Sequence, residues 1–122
     1  MTTDLKEHIY DRVYKTLGEA HMLILTTEEL SELTKAITKY QRNKIKATQR
    51  IEIKDPTLLE QIADEIADVE IMTEQLKQAY KLHKSVDDYK GIKLNRLEER
   101  INVFETKARA YNQSRLNTEE GY

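Results

Sequence analysis

The chain has no cysteine and no tryptophan, and only one proline, one phenylalanine and three glycines among its 122 residues. Each shortage excludes something. Without cysteine there are neither disulfides nor thiolate ligands, so any metal site has to be built from oxygen donors or from the three histidines. Few glycines and a single proline leave few breakers, which predicts helix nearly throughout and an all-α fold. No apolar run approaches the roughly 20 residues that span a bilayer, and the amino terminus lacks a signal-peptide core. The expectation is a cytoplasmic protein with no membrane partner. A formal charge of −2 offers no general attraction for nucleic acid, which is not expected as a partner either.

What the sequence has in quantity is charge: 34 % of residues are charged and only 39 % are hydrophobic. A chain of this length can bury one modest core. A bundle this polar gains from pairing with a second copy, so the expected architecture is a four-helix-type bundle completed by oligomerisation, as a homodimer or homotetramer. Residues 1–112 are expected to form a single domain, with residues 113–122 as a polar, loose tail that has little to bury.

Periodicity places the helices. Leu5, Ile9, Val13 and Leu17 recur at helical spacing behind Asp4, which with Glu7 predicts a reciprocal cap, and Gly18 ends or kinks this segment. A second helix is expected from about Glu19 to about Lys46. Residues 47–56 form the main connection, where Ile51 and Ile53 alternate with Glu52 and Lys54 as an extended segment would. Asp55 and Pro56 make a good start for a third helix running to about His83. Ser85 and Asp88 then cap a fourth, with Val86, Leu94, Leu97, Ile101, Phe104 and Ala108 as its apolar face.

Two acidic clusters stand out, Glu28-Glu29-Leu30-Ser31-Glu32 and Asp64-Glu65-Ile66-Ala67-Asp68. Each holds two carboxylates three residues apart, which on a helix project from one side. Winding the second helix at helical pitch, Met22, Leu23, Leu25, Leu30, Leu33, Ala36, Ile37 and Tyr40 make one apolar stripe, with Glu29 inside it and Glu32 at its margin. On the third, Leu58, Ile62, Ile66, Val69, Met72, Leu76 and Tyr80 make the stripe, with Glu65 among them and Asp68 at the edge. Glu28, Glu70 and Glu74 point away. One acidic pair alone is most simply a solvated face in a chain this charged. Two pairs that both intrude on apolar stripes are costly to ionise unless a cation meets them, and hard divalent cations favour carboxylate oxygen.

The runs EELSELTKAITKYQR and LLEQIADEIADVEIMTEQL resemble the MazG-like, all-α nucleoside triphosphate pyrophosphohydrolase superfamily, which includes the dimeric dUTPases and dCTPases. The family pattern is Glu-x-x-Glu on one helix and Glu-x-x-Asp on a later one, and Glu29, Glu32, Glu65 and Asp68 match it. The resemblance covers roughly residues 20–100. It implies that these four residues bind Mg²⁺ (or Mn²⁺) and carry catalysis, and that a nucleotide is cleaved between its α and β phosphates to a monophosphate and pyrophosphate. It further implies that a basic helix downstream meets the phosphates through a Lys, an Asn and an Arg. Lys93 and Arg100 match the outer two, but Leu97 stands where the Asn would be.

Independently of the resemblance, Lys93, Arg96 and Arg100 line up beside the apolar face of the fourth helix. They either meet substrate phosphate or are solvated and pair with Glu98 and Glu99. Lys39, Arg42, Lys44, Lys46 and Arg50 either complement a helix dipole or form a phosphate-attracting rim. His8, His21 and His83 lack ligand spacing, while Tyr40, Tyr80 and Tyr89 could stack on a base but suit an amphipathic rim. The alternative reading of the whole is a non-catalytic helical regulator that binds nucleotide or a partner protein. Base and sugar preference cannot be read from these residues.

Overall fold

The computed structural model describes residues 1–48 and 55–120. Three helices occur in chain order: α1 (Thr3–Thr48), α2 (Thr57–Tyr80) and α3 (His83–Glu120), with no strand among the described residues. The all-α expectation holds. The chain divides into two compact units, Met1–Leu82 and His83–Tyr122.

In the first unit, α1 packs against α2. The amino end of α1 is held by Thr2, whose hydroxyl oxygen accepts the Leu5 amide at 3.3 Å, so Thr2 rather than Asp4 provides the cap. Asp4 falls in the first turn, where a carboxylate still complements the positive end of the helix dipole. Gly18 interrupts α1 with φ 87°, ψ 173°, a region essentially reserved for glycine. This is the kink its position suggested, and it separates the Leu5-to-Leu17 segment from the one carrying Glu29.

The start of α2 follows the expected chemistry. Asp55 accepts the Thr57 amide at 2.9 Å and the Thr57 hydroxyl at 2.6 Å on the same oxygen. These bonds to its charged form, with Lys39 nearby, hold its carboxyl below the usual carboxylate range against some desolvation. The far end of α2 stops at Tyr80 rather than near His83, because Lys81 adopts a left-handed conformation (φ 53°, ψ 49°) that turns the chain. The Leu82 amide then reaches back to the Lys77 carbonyl at 2.8 Å, the bonding that closes a helix with a left-handed cap. Since this turn precedes residue 83, α3 already begins at His83 and Ser85 lies inside it rather than capping it.

The second half of α1 and α2 run in opposite directions. Tyr80 donates to Glu19 at 3.0 Å near one end, while Lys39, Arg42 and Lys46 share a cavity with Asp55 and Leu58 at the other. Before the kink, Tyr10 donates to Glu74, and the Gln78 side-chain amide donates to the Glu7 carbonyl at 2.8 Å. Lys6 adds a longer contact to Glu74, 3.8 Å. Glu74 was expected to face away from the core; instead it anchors the first segment of α1, and the Tyr10 phenol, desolvated and bonded to that carboxylate, is pushed up to about 12. The motive is tertiary, because a tyrosine 64 residues away is what turns this glutamate inward.

Among the described residues, Met22, Leu58 and Met72 are the buried apolar side chains, and Thr26 is buried with them. The Thr26 hydroxyl is satisfied by the Met22 carbonyl one turn back, at 2.7 Å. Of the expected α1 stripe, Leu25, Leu33, Ala36 and Tyr40 are half-buried, but Leu23, Leu30 and Ile37 are exposed, as are Ile66 and Tyr80 on α2. Two packed helices share only one face, and these stripes are wider than that face.

In the second unit, α3 is continuous through Glu120, so residues 113–120 are helical rather than loose. Nothing between Gly91 and Gly121 breaks a helix, and the Gln113 amide on the Asn117 oxygen at 3.1 Å and the Thr118 hydroxyl on the Ser114 carbonyl at 3.0 Å close its last turns. The extended segment anticipated around Ile51 and Ile53, and Arg50 with it, lies outside the described residues.

Gly18 offers a direct test of the kink. A Cβ there would meet nothing within 4 Å, so the cost of Gly18→Ala is backbone strain alone, about 1–3 kcal/mol. Urea unfolding of the variant is expected to show a lower midpoint, with the extrapolated unfolding free energy reduced by that amount.

Candidate metal centre

Helix packing brings together residues from both acidic clusters. Glu29 of α1 and Glu65 and Asp68 of α2 each present one carboxylate oxygen, and the three oxygens lie within 4.8 Å of one another. All three residues are half-buried. The local cause is the phase of each helix: Glu29 sits seven residues beyond buried Met22, and Glu65 seven residues beyond buried Leu58. Seven residues are close to two turns, so each carboxylate stands above a core residue and leans toward the opposite helix.

This arrangement is strained electrostatically. Glu29 is raised above the ordinary carboxylate range by desolvation first, then by the charges of Asp68 and Glu65, a side-chain contact with Asp68, and the charge of Glu32. Glu65 is raised by desolvation, then by Asp68, Asp64 and Glu32. One oxygen of Glu65, Oε2, is buried and has no hydrogen-bond partner. A buried acceptor without a donor is uncommon and needs a reason.

A divalent cation fits that need. An octahedral ion with ligand distances of about 2.1 Å spaces its donors about 3.0 to about 4.2 Å apart. Three oxygens within 4.8 Å reach that spacing by small side-chain rotations. Carboxylate-only donors suit hard cations such as Mg²⁺, Ca²⁺ or Mn²⁺ over softer metals.

The fourth expected ligand is not in the cluster. Glu32 is exposed and bonds Lys35 one turn on, at 3.1 Å. Its charge is still felt by Glu29 and Glu65, yet its position at the margin of the stripe leaves it on the solvent side. Lys93, Arg96 and Arg100 lie on α3 and are exposed. Lys93 and Arg96 border a shallow concavity of about 470 Å³ with Val86, Tyr89, Lys90 and Ile92.

Lys39, Arg42 and Lys46 gather around a cavity of about 320 Å³, together with Asn43, Asp55 and Leu58. Asn43 had no signal in the sequence, since only the packing of α1 on α2 brings it to the rim. Lys44 instead lies over the Tyr40 ring, 5.5 Å from its centre, a cation–π distance.

Comparison with protein-family models, with curated proteins and with solved structures finds no match to this chain. Among the described residues, no helix is long and apolar enough to cross a membrane.

The carboxylate cluster makes a pH-dependent prediction for metal-free protein. Glu29 and Glu65 are raised in the folded state, so the folded chain binds more protons than the unfolded one just above the ordinary carboxylate range. Their contribution is therefore favourable below that window and lost as pH rises through it. Relative to wild type, the Glu29→Gln/Glu65→Gln double variant is expected to melt higher at neutral pH in chelator, with the difference shrinking toward about pH 5. Thermal scans across that range read the effect directly.

Proposed function

We propose that the chain is a Mg²⁺-dependent nucleoside triphosphate pyrophosphohydrolase. The observation that carries the reading is the meeting of Glu29, Glu65 and Asp68 oxygens within 4.8 Å, with Glu65 Oε2 buried and without a hydrogen-bond partner. Such a cluster is unfavourable by itself and becomes favourable around a cation. A bound Mg²⁺ would supply positive charge against the phosphate oxygens and lower the cost of attack at phosphorus.

The chain's own residues divide the remaining work. Glu29, Glu65 and Asp68 hold the ion. Glu32, outside the three-oxygen cluster and exposed, is the carboxylate assigned to take the proton from the attacking water, because a base engaged by metal is a poor acceptor. The family likeness further implies phosphate-binding roles for Lys93 and Arg100, with Arg96 beside them in sequence; cations of this kind offset the charge of phosphate oxygens. The choice of the α–β bond, giving a monophosphate and pyrophosphate, comes from the likeness of the Glu29-x-x-Glu32 and Glu65-x-x-Asp68 spacing to the pyrophosphohydrolase pattern. Completion of the bundle by a second copy belongs to the same proposal.

The test is a panel of nucleoside triphosphates incubated with the purified chain and Mg²⁺, reading pyrophosphate against orthophosphate. Pyrophosphate release is expected, and Glu65→Gln is expected to reduce it by at least about 100-fold while the helical circular-dichroism signal persists. Mg²⁺ is expected to raise the melting temperature of wild type but not of Glu65→Gln. Orthophosphate as the sole product, or full activity in the variant, would contradict the proposal.

A further inference from the structure

Along α3, Leu94, Leu97, Ile101, Phe104, Ala108 and Tyr111 follow one another at alternating steps of three and four residues. That is the 3.5-residue repeat by which two helices wind around each other. Leu94, Ile101 and Ala108 occupy the first apolar position of successive heptads, and Leu97, Phe104 and Tyr111 the second. Within the second unit nothing covers the stripe: Leu94, Leu97, Phe104 and Tyr111 are 62, 56, 60 and 64 % exposed. It also has defined ends, because Lys90 stands where the repeat would continue on one side and Arg115 on the other.

The flanks of the stripe indicate what covers it. The positions just before each first apolar residue are Lys93, Arg100 and Lys107; those just after each second one are Glu98, Glu105 and Asn112. One flank is basic, and the other is acidic except at its last turn. Among the described residues, none of the five charged flank residues makes an ion pair within α3. When two copies lie side by side in the same direction, each residue of the first flank meets the residue five positions on in its partner. Lys93 then faces Glu98, and Arg100 faces Glu105. In the opposite direction, cations would face cations and acids would face acids.

We propose that α3 is a dimerisation helix, on which a second copy of this chain docks along residues 94–111 as a parallel, in-register, two-stranded coil. Isoleucine in the first apolar position and leucine in the second favour two strands over three, as at Ile101 and Leu97. The chain carries the complement of its own flank charges, so no other partner is needed to satisfy them. The dimer does not rest on the hydrolase reading and is tested without it.

Sedimentation of the full chain is expected to show a dimer. The Lys93→Glu/Arg100→Glu variant turns attraction into repulsion at both pairs, each present twice by symmetry, and is expected to weaken association by roughly tenfold or more. Glu98→Lys/Glu105→Lys is expected to do the same, and an equimolar mixture of the two variants to recover the dimer. Because the chain has no cysteine, Ala108→Cys introduces a unique thiol at an exposed position. In a parallel, in-register dimer it faces its own copy and forms a disulfide under mild oxidation; in an antiparallel one the thiols are far apart. Any of three results would overturn the proposal: a monomer at about 100 μM, a dimer unaffected by either charge reversal, or an Ala108→Cys dimer that does not cross-link.

Discussion

The first unit of this protein is organised around a repulsion. Glu29, Glu65 and Asp68 hold oxygens within 4.8 Å of one another, and like charges this close in a partly desolvated place oppose the packing of the helices that carry them. The packing of α1 on α2 therefore has to be held by contacts elsewhere. Met22, Leu58 and Met72 provide the apolar part. The bonds from Tyr10 to Glu74, Gln78 to Glu7 and Tyr80 to Glu19 clamp the end of the pair remote from Asp55. On the proposed reading, a cation among these oxygens would offset that cost and link binding to folding in one equilibrium.

Backbone devices at the ends of the pair serve the same geometry. Gly18 bends α1, so that residues before it can reach Glu74 while those after it run along α2. Asp55 fixes where α2 begins and thereby the phase at which Glu65 and Asp68 emerge. A shift of one residue there would rotate both carboxylates by about 100° and break the cluster. Lys81 ends α2 by a left-handed turn, which separates the unit bearing the acidic site from the long helix that follows.

Much of this was legible in the residues. Glu29 and Glu65 could be read as candidate site residues because their phase set them among apolar side chains, where an isolated carboxylate has no reason to be, and Asp68 followed at the edge of the same stripe. Glu32 could not be separated from them by spacing, since three residues from Glu29 is equally consistent with a core margin or a solvent margin; the packing angle decides, and it leaves Glu32 with Lys35. Gly18 announced its kink because only glycine carries that conformation. Glu74 was misread because its partner, Tyr10, is distant in sequence. Ser85 and Asp88 looked like a cap, but the left-handed Lys81 made the turn earlier. Residues 113–120 looked loose because they bury nothing, yet once a helix is nucleated upstream each further residue adds a backbone bond, and no breaker interrupts α3 before its end. The exposed Leu23, Leu30 and Ile37 show the limit of periodicity: it finds an apolar face without saying whether the chain itself covers it.

A crystal structure of the full chain grown with Mn²⁺, using the anomalous signal of the metal, tests the central claim most directly. An ion is predicted among Glu29, Glu65 and Asp68, at about 2.2 Å from an oxygen of each, with Glu65 Oε2 engaged. Three carboxylates turned apart toward solvent, or met by lysine or arginine with no anomalous peak between them, would contradict the account.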